Sequence, residues 1–148
     1  MKHIELLLLS ALLLTALGCS KKEMGEPYAD TRLANITTSD CLMNTDALAA
    51  KDMNTDSIAV TIASGILSVT HYNMMLDCGS GEHIVTTIER VDNTITVTEN
   101  VGEQGRTNCV CLYDNSFQIA YLPPRPFTLV VKVKAGSEQK IVYQQIFE

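Results

Sequence analysis

The chain has 148 residues, of which 46% are hydrophobic, and a formal net charge of −6. This length provides one domain with one core, and not two. There are 11 basic against 17 acidic residues, and no basic cluster occurs beyond the pair Lys21-Lys22. The composition therefore gives no electrostatic support to nucleic-acid binding.

Residues 1–18 have the features of a bacterial lipoprotein signal peptide. A basic start precedes an apolar run over residues 6–17, which is shorter than the about 20 residues that a membrane-spanning helix needs. The small residues Ala16 and Gly18 lead directly to Cys19. We predict that Cys19 carries a palmitate-type lipid, which anchors the mature protein to the outer membrane of a bacterial cell envelope. The alternative is a secretory signal that is cleaved without lipidation.

The segment that follows predicts a spacer. Residues 19–40 are polar, contain glycine and proline and have no periodicity, so we expect a lipidated cysteine followed by a flexible tether. The folded domain is then assigned to residues 41–148. At its start, residues 45–51 fit one or two helical turns capped by Thr45 or Asn44.

From residue 57 onward, short apolar runs alternate with turn residues, which predicts successive β-strands. The runs are 58–62, 66–76, 84–88, 94–98, 109–113, 117–121, 129–134 and 141–147. Turns are expected at Asp92-Asn93 and Asp114-Asn115, and the proline-rich residues 123–126 predict a crossing between sheets or an edge. Seven or eight short strands predict an all-β fold, an immunoglobulin-like antiparallel β-sandwich. A small closed barrel is the alternative.

Four cysteines remain besides the predicted lipid site: Cys41, Cys78, Cys109 and Cys111. An exported protein meets an oxidising compartment, so an even number of cysteines predicts two disulfides. Cys109 and Cys111 share one face of a strand, and a bond between them would be strained in extended backbone. Each is therefore expected to reach Cys78 or Cys41, and we favour the pairs Cys78–Cys109 and Cys41–Cys111.

A metal site is the alternative use of these cysteines. Cys78, Cys109 and Cys111 would then act together with His71 or His83. Structural zinc usually takes cysteine pairs from knuckle-type loops, whereas Cys109 and Cys111 lie on a predicted strand. We therefore favour the disulfides and predict no metal and no cofactor.

The residues that resemble catalytic groups are better explained structurally. Ser80 stands between two glycines near His83, but the G-x-S-x-G pattern is absent and no strand-turn-helix follows, so residues 79–81 predict a hairpin loop. His71 is expected to be half-buried and hydrogen-bonded, on one strand face with Asn73. Glu89 and Glu99 are expected on solvent faces. We therefore predict that the chain is not an enzyme.

One short motif predicts a modification. Asp56-Ser57-Ile58 is similar to the acceptor sequence of the O-glycosylation system found in Bacteroidetes. Ser57 is therefore a candidate acceptor, and we expect it to be exposed and to precede the first strand of the strand-rich region.

Part of the chain resembles a known group of proteins. Residues 109–114, followed by Phe117-Gln118-Ile119 and Leu122, are similar to small lipoproteins of Bacteroidetes, and residues 70–73 before Cys78 fit the same group. Some of these resemble the C-terminal sandwich of NigD-like proteins. The resemblance covers residues 66–133, and the chain is too short for the additional N-terminal domain of NigD-like proteins. It implies a lipid-anchored β-sandwich and carries over no catalytic residues.

These features predict an envelope lipoprotein with a binding or structural role and a protein or glycan partner. The alternative is an envelope enzyme or enzyme inhibitor that uses the region of His71, Cys78 and His83. An exposed cluster of His71, His83 and Asp77 would favour the enzyme. An exposed tyrosine patch or an open sheet edge would favour binding.

Overall fold

A computed structural model describes residues 30–42 and 56–148. The predicted signal peptide, Cys19 and the helical turns predicted at residues 45–51 lie outside these ranges. Within them, no helix combines the length and the apolar character needed to cross a membrane.

The described part of the chain forms eight strands and one short 3-10 turn. The strands are β1 (Arg32–Thr38), β2 (Ser57–Ala63), β3 (Ile66–Asp77), β4 (Val85–Val91), β5 (Thr94–Gly102), β6 (Val110–Ala120), β7 (Phe127–Ala135) and β8 (Glu138–Phe147). The 3-10 turn, Ser80–His83, lies between β3 and β4.

The strands form two four-stranded sheets, and this arrangement confirms the predicted all-β sandwich. The first sheet has the order β1-β6-β3-β2 and the second has the order β4-β5-β7-β8. All pairs are antiparallel except β5 and β7, which are parallel. The chain leaves β5, runs through β6 in the first sheet and returns beside β5, so this pair is joined by two crossings. The second sheet is therefore mixed, unlike the antiparallel sheets of an immunoglobulin domain.

Two clusters of apolar side chains fill the space between the sheets. The larger one, here called the main core, consists of Leu67, Val69, Ile95, Val97, Phe117, Ile119, Phe127, Leu129 and Val131. The smaller one, here called the minor core, consists of Met74, Leu76, Val101, Cys111 and Tyr113. Side chains along β5 and β6 alternate between buried and partly exposed, as the period of two in the sequence predicts.

The predicted tether is partly wrong, because β1 lies within residues 19–40. β1 pairs with β6 from Arg32 opposite Ala120 to Thr38 opposite Asn115. An irregularity between Ala34 and Thr37 interrupts the pairing, so inward and outward residues do not alternate. That interruption is the physical reason why no strand pattern was visible in this segment.

Two predicted turns are also wrong. Asp114 and Asn115 lie inside β6, which runs unbroken from Val110 to Ala120. Their polar side chains make hydrogen bonds within the sandwich instead of closing a turn; for example, the Asp114 carboxylate accepts the Asn73 N–H at 2.9 Å. Residues 79–81 do not form a hairpin loop either, because β3 and β4 belong to different sheets.

Other connections are as predicted. Asp92 and Asn93 close the β4–β5 hairpin, and Asp92 has the positive φ, 52°, that such turns need. The proline-rich residues 123–126 connect β6 in the first sheet to β7 in the second, which is the predicted crossing between sheets.

Candidate functional site

A layer of buried polar residues separates the main core from the minor core. His71 lies between Val69 and Met74 on β3, and Glu99 lies between Val97 and Val101 on β5. Asn115 lies between Tyr113 and Phe117 on β6, directly opposite His71 in the β3–β6 pairing. The side chains of His71, Glu99 and Asn115 are each 0% exposed. We call these three residues, with Asp56, the polar layer.

Hydrogen bonds join the polar layer across both sheets. His71 Nδ1 lies 2.6 Å from Glu99 Oε2, and His71 Nε2 is hydrogen-bonded to Asp56 Oδ1. Asn115 Nδ2 donates to Glu99 Oε1 at 2.7 Å and to Thr86 Oγ1 at 3.1 Å. Among the described residues, no buried side-chain nitrogen or oxygen lacks a partner. The cost of burying these groups is thereby offset.

The protonation of His71 follows from its two carboxylate partners. Burial disfavours the charged imidazolium, but the hydrogen bonds and negative charges of Glu99 and Asp56 outweigh it, so the pKa of His71 is raised above 6.5. A carboxylate only accepts hydrogen bonds, so both ring nitrogens donate. Neither nitrogen of His71 is then free to act as a base or to bind a metal.

A groove of about 290 Å³ opens beside the polar layer. Asp56 and His71 line one part of it, Met74 and Leu76 come from β3, and residues 138–140 come from β8. The Asp56 side chain is 54% exposed, so this carboxylate is the part of the polar layer that a ligand in the groove would meet.

The structure does not form the exposed cluster that would favour an enzyme. His71 is fully buried and Asp77 is 8% exposed, whereas His83 lies exposed on the 3-10 turn. Ser80 lies on the same turn and accepts a hydrogen bond from Gln104 Nε2 at 3.5 Å. No hydrogen bond between Ser80 and a histidine occurs in the described residues.

The four cysteines lie together at the end of the sandwich that holds the minor core. Cys41 is bonded to Cys111, and Cys78 to Cys109, with a Cα–Cα distance of 5.4 Å in each pair. These are the two pairs that the sequence favoured. The Cys78 N–H donates to the Cys109 carbonyl at 3.0 Å, which continues the β3–β6 ladder beyond both strands.

The alternative metal site has three sulfur atoms and no histidine. The Sγ atoms of Cys78, Cys109 and Cys111 lie within 4.8 Å of one another. His71 takes part in the polar layer instead, and neither it nor His83 belongs to this group. All three sulfur atoms are used in disulfides.

Of the two predicted modification sites, Ser57 lies within the described residues and Cys19 does not. Ser57 is exposed, but it is the first residue of β2 and pairs with Tyr72, so it does not precede the strand. Asp56, which completes the motif, is hydrogen-bonded to His71. O-glycosylation of Ser57 and lipidation of Cys19 both stay predictions, since Cys19 lies outside the described residues.

The central residues of the polar layer were not predicted, although the sequence contains a signal for them. The period of two that places Ile95, Val97 and Val101 inside also places Glu99 inside. The charge of Glu99 favoured a solvent position, and that prediction is wrong. Asn115 lies two residues after Tyr113 on β6, so the same period of two places it inside as well.

Comparison with protein-family models, with curated proteins and with solved structures finds no match for this chain. The resemblance to NigD-like lipoproteins stays a prediction.

Proposed function

We propose that this protein is a lipid-anchored binding protein of the bacterial cell envelope. Its partner is a protein that adds an extended segment to the side of the sandwich where β2 and β8 lie. The observation that carries the proposal is that the unprotected edge of β2 and the largely uncharged edge of β8 border the same side of the domain.

The edge formed by β2 lacks the features that normally prevent strand addition. Its seven residues, Ser57–Ala63, contain no charged residue and no proline. β2 is the terminal strand of the first sheet, so one side of its backbone has no neighbouring strand in the described structure. Soluble proteins usually protect such edges with charges, prolines or bulges, so this edge supports pairing with another chain.

The edge formed by β8 has protective features in its first half only, namely the charges of Glu138 and Lys140 and an irregular pairing with β7 near Ile141. Residues 141–147 contain no charged residue and no proline, and Ile141 and Ile146 are 52% and 60% exposed. β8 is the terminal strand of the second sheet. Side chains of an extended segment that pairs with β8 would pack beside these two side chains, which supports an apolar component in the partner.

The groove supports binding of the partner on the same side of the domain. The β2–β3 pairing stops where Ser57 meets Tyr72, but β3 continues to Asp77. Within the described ranges, no strand pairs with β3 beyond Tyr72 on that side. The groove lies here, beside the Asp56 carboxylate, which provides an acceptor for a backbone N–H or a basic side chain of the partner.

A protein partner is favoured over a glycan because the exposed tyrosines do not form a platform. Tyr72 lies opposite Ser57 near the start of β2. Tyr121 follows β6 near the start of β1, and the Arg32 guanidinium covers its ring at 4.7 Å from the centroid. Stacking of sugar rings needs free aromatic faces, and these two tyrosines belong to different strand pairs of the first sheet.

The anchor is tested separately from the binding. Radiolabelled palmitate is expected to label the wild type but not Cys19→Ser, and the variant is expected to partition into the aqueous phase of a detergent separation. Equal labelling of both proteins would contradict lipidation at Cys19.

The binding is tested by photo-crosslinking in the native envelope with two matched positions. A photoreactive residue replaces Ile146 on β8 or, as the control, Val91 on β4, the opposite edge of the second sheet. The two side chains are 60% and 59% exposed, so random collisions should label them equally. We expect a discrete product from position 146 only, and slowed hydrogen exchange of β8 amides in the purified complex. Equal products from both positions, or unchanged exchange in β8, would contradict strand addition.

A further inference from the structure

We propose that the four cysteines form a single thiol–disulfide exchange site for an external thiol. Cys78 and Cys111 are here called the inner pair, and Cys41 and Cys109 the outer pair. Each native disulfide joins one inner to one outer cysteine. Attack of a thiolate on either outer cysteine would transfer the protein's remaining disulfide to the inner pair.

The inner sulfur atoms are in contact although they belong to different disulfides. Cys78 Sγ lies 3.3 Å from Cys111 Sγ. Neither atom carries a hydrogen in the bonded state, so this is a direct contact between two disulfides. A thiolate formed at either inner position is therefore already next to the sulfur atom that it would attack.

Exposure determines where an external thiol acts first. Cys41 and Cys109 are exposed, whereas Cys78 is partly buried and Cys111 is only 4% exposed. Attack on a disulfide depends on access to the sulfur atom, so the outer cysteines are the points of entry. The inner sulfur atoms are then the leaving groups.

The exchange has two balanced steps. A thiolate, RS⁻, attacks Cys109 Sγ, the Cys78–Cys109 bond breaks, and the electron pair leaves with Cys78 Sγ. The Cys78 thiolate then attacks Cys111 Sγ, the Cys41–Cys111 bond breaks, and Cys41 leaves as a thiolate that takes a proton from water. Two disulfides exist before and after, so there is no net oxidation or reduction and no further oxidant is required.

Attack on the other outer cysteine gives the same protein disulfide. If RS⁻ bonds to Cys41, the Cys111 thiolate is released and attacks Cys78 Sγ, and Cys109 leaves. In both cases Cys78–Cys111 forms, one outer cysteine carries the external thiol, and the other becomes free.

The inner sulfur atoms need to move only a short distance for this rearrangement. To bond, the inner sulfur atoms must approach by about 1.2 Å, from 3.3 Å to the usual length of about 2.05 Å. Cys78 lies in the turn after β3, and Cys41 follows the end of β1. When Cys41 leaves, hydrogen bonds still hold the segment around it to β6, such as the Leu42 N–H donated to the Leu112 carbonyl at 3.0 Å.

Two single substitutions test the exchange in the full chain. Cys109→Ser leaves Cys78 unpaired, so its thiolate should attack Cys111 and release Cys41 in part of the molecules. Cys78→Ser is the matched control, because the unpaired Cys109 would have to bond to Cys111 two residues away, which is strained in extended backbone. We expect maleimide labelling of Cys41 to be at least about tenfold higher in Cys109→Ser than in Cys78→Ser. Labelling confined to Cys78 in Cys109→Ser would overturn the proposal.

The wild-type protein provides a test that does not depend on folding of the variants. Full-length protein is treated with one equivalent of glutathione, quenched in acid, where thiolates are protonated, and digested with pepsin. We expect a peptide containing a Cys78–Cys111 disulfide, with glutathione on Cys109 or Cys41. Independent reduction of the two native disulfides without this peptide would overturn the proposal. Four free thiols with stoichiometric zinc in the isolated protein would also overturn it.

Discussion

At one end of the sandwich, nine apolar side chains from both sheets form the main core, whereas at the other end the minor core has five residues and lies beside two disulfides. The polar layer separates the two ends. The minor core is also closed by the 3-10 turn, where a Cβ on Gly81 would lie 2.3 Å from the Tyr113 ring. Where little apolar area is available, covalent bonds supply the stability that packing supplies elsewhere, as in other small exported domains.

The largest effect is expected from removing a complete disulfide. Cys41→Ala with Cys111→Ala opens a link between residues 70 apart, and Cys78→Ala with Cys109→Ala opens one between residues 31 apart. The chain-entropy estimate predicts losses of about 4.4 and about 3.7 kcal/mol, respectively, in the free energy of unfolding. Urea denaturation of both double variants measures these two losses. Losses below about 1 kcal/mol would show that the minor core is stable without its disulfides.

Truncation of one core side chain at each end tests whether the two ends differ in their dependence on the Cys41–Cys111 disulfide. Phe117→Ala in the main core removes a 1% exposed side chain and should cost about 4 kcal/mol. Phe117 is six residues from Cys111, about 20 Å along an extended strand, so its cost should add to that of removing the Cys41–Cys111 disulfide. Leu76 pairs with Cys111, so Leu76→Ala should be non-additive by at least about 0.5 kcal/mol. Urea denaturation of the two double-mutant cycles measures these couplings, and equal couplings would mean that the two ends do not differ.

Glu99→Gln tests the layer between the two ends. The Glu99 carboxylate accepts from Asn115 and faces His71, whereas an amide presents one oxygen and one N–H group to these two donors. One donor loses its acceptor in a buried site, and we expect a loss of about 3 kcal/mol in the free energy of unfolding. Glu89→Gln, on a neighbouring strand, is the control and should change stability by less than about 0.5 kcal/mol. Similar losses in the two variants would contradict the role of the polar layer.

The smallest effect is a pH dependence. The pKa of His71 in the folded protein lies above its ordinary value of 6.5, so the protonated ring contributes stability that is fully present below pH 6.5. This contribution is lost as the pH rises through the raised pKa. One proton gives a slope of at most about 1.4 kcal/mol per pH unit. Urea denaturation between pH 6 and pH 9 should show this fall in the wild type and a weaker fall in Glu99→Gln. A stability that rises with pH in this window would contradict the assignment.

The fold class could be predicted because the strands have regular features. Alternation of inward and outward residues identified β5, and turn residues identified its hairpin with β4. β1 was missed because an irregular pairing with β6 removes its alternation, so its strand character depends on its neighbour. The parallel pairing of β5 with β7 could not be predicted, because it depends on two crossings between sheets and leaves no local pattern.

The polar layer was difficult to predict for a different reason. Each of its members has a common explanation when considered alone: a turn for Asn115, a solvent face for Glu99 and a residue before a strand for Asp56. Strand pairing within the first sheet brings Asn115 and Asp56 close to His71, and the packing of the two sheets adds Glu99. There the residues satisfy one another's hydrogen bonds. The disulfide pairs were easier to choose, since two cysteines on one strand face restrict the options.

The Cys41–Cys111 disulfide also has a mechanical consequence. A pulling force applied to the chain ahead of β1 enters the domain at Arg32, next to the end of β6, and passes along β1 to Cys41. There it is transferred through a covalent bond to β6, which lies inside the first sheet between β1 and β3. While this bond is intact, the transfer of force to β6 does not depend on the hydrogen bonds between β1 and β6 alone. Opening it would leave that pairing to carry the load.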